Sequence, residues 1–149
     1  MDITEQLKQY EGTKLYQEKR GIFRNNKFYP YKDSLGYWTI GYGRLIKAGL
    51  YIEGITEAQA DAFLEEDLAE ARKGAVSLKL NLPTYSRWND FLVLMVFQLG
   101  LTKTKEFHRF LAAMTNSNYA TAVAEIRNSN WYRQTPNRVD SMFDYVLKG

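Results

Sequence analysis

Apolar residues recur at helical spacing along most of this chain, but one stretch near the N-terminus breaks the pattern. Ile3, Leu7 and Tyr10 share one face of a first helix, which Asp2 can cap and which runs to about Tyr10. From Thr13 to Gly43 the periodicity is lost. Tyr, Phe, Trp, Thr and Ile interleave there with Gly and Asn, the texture of short antiparallel strands joined by tight turns. Arg20-Gly21, Asn25-Asn26 and Ser34-Leu35-Gly36 are the turn candidates.

From Thr56 onward helical spacing returns and holds to the end. Thr56 and Gln59 form a capping-box signature, and Ala60, Phe63, Leu64, Leu68 and Ala71 keep one face of a long helix to about Leu78. Asn81-Leu82-Pro83 breaks it, because proline cannot continue a helix interior. Tyr85 to Leu99 predicts a strongly apolar helix at the centre of a helical lobe, closed by Gly100. Two shorter helices are expected at about 105–115 and 118–128, and a last one from about Arg138. The predicted fold class is α+β, mostly α, in a single domain of 149 residues. It comprises a small β-rich lobe (about 12–55), a long connecting helix (about 56–79), and a helical lobe (about 80–149) that includes the N-terminal helix 2–11.

Composition narrows the chemistry. The chain has no cysteine and one histidine, His108, which excludes a disulfide framework, a thiolate nucleophile and a cysteine zinc site. It also argues against a Ser-His-Asp triad. No metal site and no cofactor are expected. The net charge of +3 fits attraction to an acidic polymer without choosing which one. The first residues have neither a basic nor an apolar stretch of the signal-peptide kind, and the longest apolar run, Phe91 to Phe97, is too short to span a bilayer. Synthesis in a cytoplasm without stable membrane association is therefore expected.

Glu11, Asp33 and Thr39 then stand out. Two carboxylates and a hydroxyl on separate elements, framed by glycines and aromatics, suggest hydrolytic acid/base chemistry on a sugar. Each residue has an ordinary reading too: a helix-end surface Glu, an Asp capping a turn, a β-branched strand residue.

Longer blocks weigh against those ordinary readings. Tyr31-Lys32-Asp33 … Gly36-Tyr37-Trp38-Thr39-Ile40-Gly41-Tyr42-Gly43, Val96-Phe97-Gln98-Leu99-Gly100 and Trp131-Tyr132-Arg133-Gln134-Thr135-Pro136-Asn137-Arg138 resemble the phage lysozyme family of glycoside hydrolases, in the family's order. The resemblance implies a lysozyme-like two-lobe fold with its site between the lobes. It implies hydrolysis of the β-1,4 bond between N-acetylmuramic acid and N-acetylglucosamine in peptidoglycan. Glu11 would be the general acid, Asp33 the general base and Thr39 the residue that holds the attacking water, with inversion. That geometry calls for carboxyl groups roughly 6.5–9.5 Å apart. Leu45, Phe97 and Gln98 match positions lining the family's sugar cleft, and Arg138 matches an arginine that pairs with the catalytic glutamate. Phe97 is equally a candidate core residue. Phe110 and Glu125 depart from the polar residues of the family's cleft, and Trp131 and Tyr132 read as scaffold.

Two further departures concern the small lobe. Glu11 and Asp33 are farther apart in sequence than in the family pattern, with extra residues between about Tyr16 and Tyr29. These read as a lengthened β-hairpin, Gln17-Glu18-Lys19-Arg20 … Arg24-Asn25-Asn26-Lys27, whose cations are either solvated or in contact with an anionic wall or a partner. Arg44 replaces a family histidine that pairs with an aspartate on the long helix; Asp67 fits that aspartate's position, so an Arg44–Asp67 ion pair is expected. The resemblance further implies an endolysin that works as a monomer, accumulates in a host cytoplasm and reaches the periplasm and cell wall through a holin. A tail-associated or toxin lysozyme domain, a non-catalytic wall-binding module and a nucleic-acid binder are the competing readings. The last has no motif behind it, and its basic residues are scattered.

Overall fold

The computed structural model describes residues 2–33 and 36–148, so the part of the expected turn that falls on Ser34 and Leu35 lies outside the described residues. The chain forms two compact units, residues 1–69 and 70–149.

The first unit opens with helix α1, Ile3–Glu11, whose N-cap Asp2 accepts a hydrogen bond from the Glu5 amide. The expected β texture begins later than its composition suggests. Thr13 caps a second short helix, α2 (Lys14–Lys19), by accepting from the Tyr16 amide. The lengthened hairpin is therefore only half a hairpin: its Gln17–Lys19 arm is helical, and the true hairpin is β1 (Phe23–Arg24) with β2 (Lys27–Phe28). Its turn residues, Asn25 and Asn26, both have positive φ, 52° and 60°, the left-handed pair that a two-residue hairpin turn requires and asparagine tolerates.

Strands β3 (Tyr31–Lys32), β4 (Trp38–Ile40), β5 (Arg44–Leu45) and β6 (Ile55–Thr56) follow. Among the described residues they make two antiparallel sheets, β1-β2-β6 and β3-β4-β5. Phe28, Ile40 and Ala60 are fully buried beneath them, and Phe23 and Tyr42 pack their rings against Phe28 at 4.7 and 5.2 Å. Helix α3, Glu57–Ser77, starts with the expected reciprocal capping box: Thr56 Oγ1 accepts from the Gln59 amide, and Gln59 Oε1 accepts from the Thr56 amide.

The second unit is helical. Helix α4 (Trp88–Leu99) is apolar nearly all round, and Phe91 to Val96 are all buried, as expected for a helix wrapped by others. It starts three residues after Tyr85, because Pro83 and Ser86 organise a turn first: Ser86 N–H donates to the Pro83 carbonyl. Gly100 closes it with φ 83°, its amide reaching back to the Val96 carbonyl. The helix expected over 105–115 is α6 (His108–Thr115), which starts three residues later; an unexpected short helix, α5 (Leu101–Lys105), precedes it, and the two are separated at Glu106–Phe107, where Phe107 turns its ring onto Trp131. Helix α7 (Tyr119–Arg127) has the expected asparagines at both ends. Beyond it lies an unexpected short helix, α8 (Asn130–Gln134), and then α9 (Pro136–Lys148), which begins on the proline rather than at Arg138. Phe91 stacks on Phe143 at 5.0 Å, and Trp88, Phe110 and Trp131 close around the pair. The observed architecture is the expected α+β, mostly α, lysozyme-like class.

Candidate active site

Glu11 is the last residue of α1. Gly12 follows it with φ 106° and ends the helix by donating to the Lys8 carbonyl. The buried side chain of Gln17 fixes where that end lies, because its Nε2 donates both to the Gly12 carbonyl, at 2.8 Å, and to the Gly41 carbonyl, at 3.0 Å. One amide on α2 thus ties the end of α1 to the turn after β4. Gly43 sits in that turn with φ 94°, and a Cβ built on it would lie 2.7 Å from both Cδ and Oε2 of Glu11. The carboxylate of Glu11 rests on the bare Cα of Gly43.

Asp33 and Thr39 are set by the β3–β4 connection. The Asp33 amide donates to the Tyr37 carbonyl, Asp33 Oδ1 accepts from the Tyr37 amide at 2.8 Å, and the Gly36 amide donates to the Asp33 carbonyl. In the β3–β4–β5 sheet Thr39 pairs with Tyr31 on one side and Leu45 on the other. Thr39 is only 2% exposed, and its hydroxyl donates to the Tyr37 carbonyl at 3.0 Å. Its proton being committed, Thr39 offers a neighbour lone pairs. Leu45 is 66% exposed.

Tyr31 joins the two halves. Its hydroxyl makes a long hydrogen bond, 3.5 Å, to the backbone carbonyl of Glu11. Burial pushes the Tyr31 hydroxyl far above the usual phenol range, and the carboxylates of Glu11 and then Asp33 push it further. Both carboxylates therefore lie within electrostatic reach of one phenol, which stays protonated. Gln17, Tyr31 and Gly43 were not marked as site residues by sequence. Tyr31 and Gly43 stand inside the block that carries the resemblance, and Gln17 had no signal at all.

The remaining sequence candidates belong to the second unit. Phe97 and Gln98, near the end of α4, are half-buried, and Gln98 Oε1 accepts from Trp131 Nε1 at 3.0 Å. Arg138 lies in the first turn of α9, half-buried. Phe110 is a core residue, packed on Phe91 and Trp88, which explains its departure from a polar cleft residue. His108 is exposed at the start of α6. Among the described residues no cluster of His, Cys, Asp and Glu could hold a metal ion.

The expected ion pair is present. Arg44 donates to Asp67 Oδ1 through Nε at 3.2 Å and through Nη2 at 3.0 Å, reaches Glu66 as well, and lies 4.2 Å over the Phe63 ring. Burial raises the Asp67 carboxyl above its ordinary range; the hydrogen bond and charge of Arg44 pull it back, and Glu66 adds to the rise. A carboxyl that holds its proton more tightly in the folded state destabilises the fold once ionised, so stability falls as pH climbs from the ordinary carboxylate value through the raised one. Arg44→Ala leaves that charge without its cation. Its loss of Tm is expected to be largest near neutral pH and to shrink as Asp67 protonates. Thermal melts from about pH 3 to about pH 7 check this, and a deficit independent of pH would remove Asp67 from the account.

The family model for phage lysozyme matches residues 23–143, which include Asp33, Thr39 and Arg138 and begin after Glu11. "Probable T4-type lysozyme 1" of Dictyostelium discoideum is 28% identical over 99% of this chain and 94% of its own length, a span that takes in the first helix. "Peptidoglycan hydrolase gp36" of Pseudomonas phage phiKMV is 32% identical over 74% of the chain, which corresponds to only 13% of that protein. "Endolysin" of Acyrthosiphon pisum secondary endosymbiont phage 1 is 29% identical over 64% of the chain and 56% of its own length. A match across most of the sequence, on a fold of the corresponding class, makes this chain a member of the phage lysozyme family and a glycoside hydrolase.

Proposed function

We propose that this chain is a muramidase that cleaves the β-1,4 bond between N-acetylmuramic acid and N-acetylglucosamine in peptidoglycan, acting on the wall of a host cell at lysis. The observation that carries the reading is the convergence of Glu11 and Asp33 on Tyr31, in the same unit as Thr39. Glu11, as general acid, gives its proton to the leaving glycosidic oxygen. Asp33, as general base, takes a proton from a water on the opposite face of the sugar. That water donates its second hydrogen to Thr39 Oγ1, whose own proton is held by the Tyr37 carbonyl, and so presents a lone pair to the anomeric carbon. Tyr31 keeps its proton throughout, since burial and the two carboxylates hold it on the phenol. The exposed Leu45 on the strand next to Thr39 offers an apolar surface to a pyranose ring.

The test is product analysis. Digestion of purified peptidoglycan should create new reducing ends on N-acetylmuramic acid, and proton spectra taken during the first turnovers should show the α anomer. Reducing ends on N-acetylglucosamine would refute the bond assignment. A β anomer as first product would refute inversion and recast Asp33 as a nucleophile.

A further inference from the structure

The segment that lengthens the small lobe carries most of the chain's charge imbalance. Residues 15–29 hold Lys19, Arg20, Arg24 and Lys27 against the single carboxylate Glu18, an excess equal to the net charge of +3 on the whole chain. The structure orders the two arginines of this segment, and the Lys27 ammonium reaches the Glu53 carbonyl at 3.5 Å. Helix α2 packs on β1. Arg24 Nη1 donates back to the Gly21 carbonyl at 2.8 Å, next to Arg20 in sequence, and its guanidinium lies 3.8 Å over the Tyr29 ring. Arg20 is held in the same way, stacked on Tyr16 and bonded to its hydroxyl at 3.1 Å. Arg24 and Lys27 are directly opposed across the hairpin, a like-charge cross-strand pair that is unfavourable for the hairpin alone. Both arginines are exposed yet already oriented, so a carboxylate that meets them requires little further ordering of their side chains.

Resting on the reading of peptidoglycan as substrate, we propose that this basic segment is a second contact with the polymer, in which Lys19, Arg20, Arg24 and Lys27 engage the carboxylates of the stem peptides. Glycan strands alone are nearly uncharged between their peptide attachment points; the stem peptides bring the negative charge, at intervals along the polymer. In this role the four cations supply affinity for the wall, not chemistry. That affinity raises the time the enzyme spends on an insoluble substrate and has no counterpart on a short soluble glycan.

The experiment measures depletion of protein by washed sacculi, with Glu11→Gln in every arm to prevent digestion. Replacing all four cations by Gln should weaken binding at low ionic strength by about tenfold, and the difference should vanish in high salt. Sacculi whose carboxylates have been amidated should bind the four-cation parent as weakly as the variant binds untreated sacculi. A variant limited to Lys19→Gln and Lys27→Gln, neither of which stacks on a tyrosine, should show an intermediate loss and guards against misfolding of the larger one. With Glu11 restored, kcat on a short soluble glycan should be unchanged by the four substitutions. Equal binding of parent and variants, or undiminished binding to amidated sacculi, would overturn the proposal and leave the muramidase reading standing. A loss seen with anionic lipid vesicles or DNA but not with sacculi would overturn it in favour of another polyanion. Failure of the muramidase reading shows separately, as absence of new reducing ends from the active protein.

Discussion

Glu11→Gln is expected to lower the rate of glycan hydrolysis by about 10²–10⁴-fold while leaving the fold intact. The amide has the volume and shape of the carboxyl it replaces but cannot surrender a proton to the leaving oxygen. The anchors of this residue survive the change, because Tyr31 bonds the Glu11 backbone carbonyl and Gln17 bonds the carbonyl of Gly12. Tm should not fall. Asp33→Asn is the matched control on the other side of the bond: Asn Oδ1 can still accept from the Tyr37 amide, so the turn persists while the base is lost. Asp33→Ala would confuse the two effects. The double variant should be little slower than the worse single one, since an acid and a base that act in one transition state are not additive. Rates on permeabilised cells or isolated wall, with melts alongside, decide the matter. Full activity in either single variant would refute the assigned roles.

Gly43→Ala should damage both stability and catalysis, for two separable reasons. The backbone at φ 94° is strained for any residue with a Cβ, and that Cβ would lie 2.7 Å from the carboxyl carbon of Glu11. A combined penalty of about 2 kcal/mol would lower Tm by about 4–8 °C in a chain of this size. If the collision displaces the carboxylate by about 1 Å, catalysis falls by about a hundredfold. Gly49→Ala isolates the first reason: its φ is 87° but nothing stands within 4 Å of the added carbon. It should lose stability and keep activity. In a Glu11→Ala background the contact part of the Gly43→Ala penalty should disappear, and the coupling read from that cycle measures how closely the acid is held. Equal Tm losses for Gly43→Ala and Gly49→Ala, with activity preserved in both, would mean that Glu11 is not seated on Gly43.

These two positions also show what sequence can and cannot convey. Glu11 and Gly43 are each visible in the chain, the one by residue type and the other inside a glycine-rich block, but the demand that joins them exists only after folding. Helices with local signals were legible. Asp2 before α1 and Thr56 with Gln59 before α3 act through bonds spanning three residues, and all of them form. Helix α2 was misread because six residues carry too little periodicity to outweigh the aromatic, glycine-spaced sequence around them, although Thr13 was a readable cap. The break at Phe107 and the short helix α8 answer to packing around Trp131, a long-range cause. The Arg44–Asp67 pair could be foreseen only from a family position, since nothing local links β5 to the middle of α3. Gln17 was the least legible residue of all: a polar side chain on a short helix gives no hint that two distant carbonyls need it.

That double hydrogen bond has a consequence for how such an enzyme can change. Because Gln17 fastens the acid's helix to the turn beside Gly43, the eleven positions between Gln17 and Tyr29 form a closed excursion whose ends are pinned by the Ile22–Gln17 and Tyr29–Ile22 backbone bonds. Its length is decoupled from the spacing of the catalytic groups. The tip at Asn25-Asn26 is therefore a place where lineages, or an engineer, can graft binding segments for different bacterial envelopes without rebuilding the machinery that cuts the glycan.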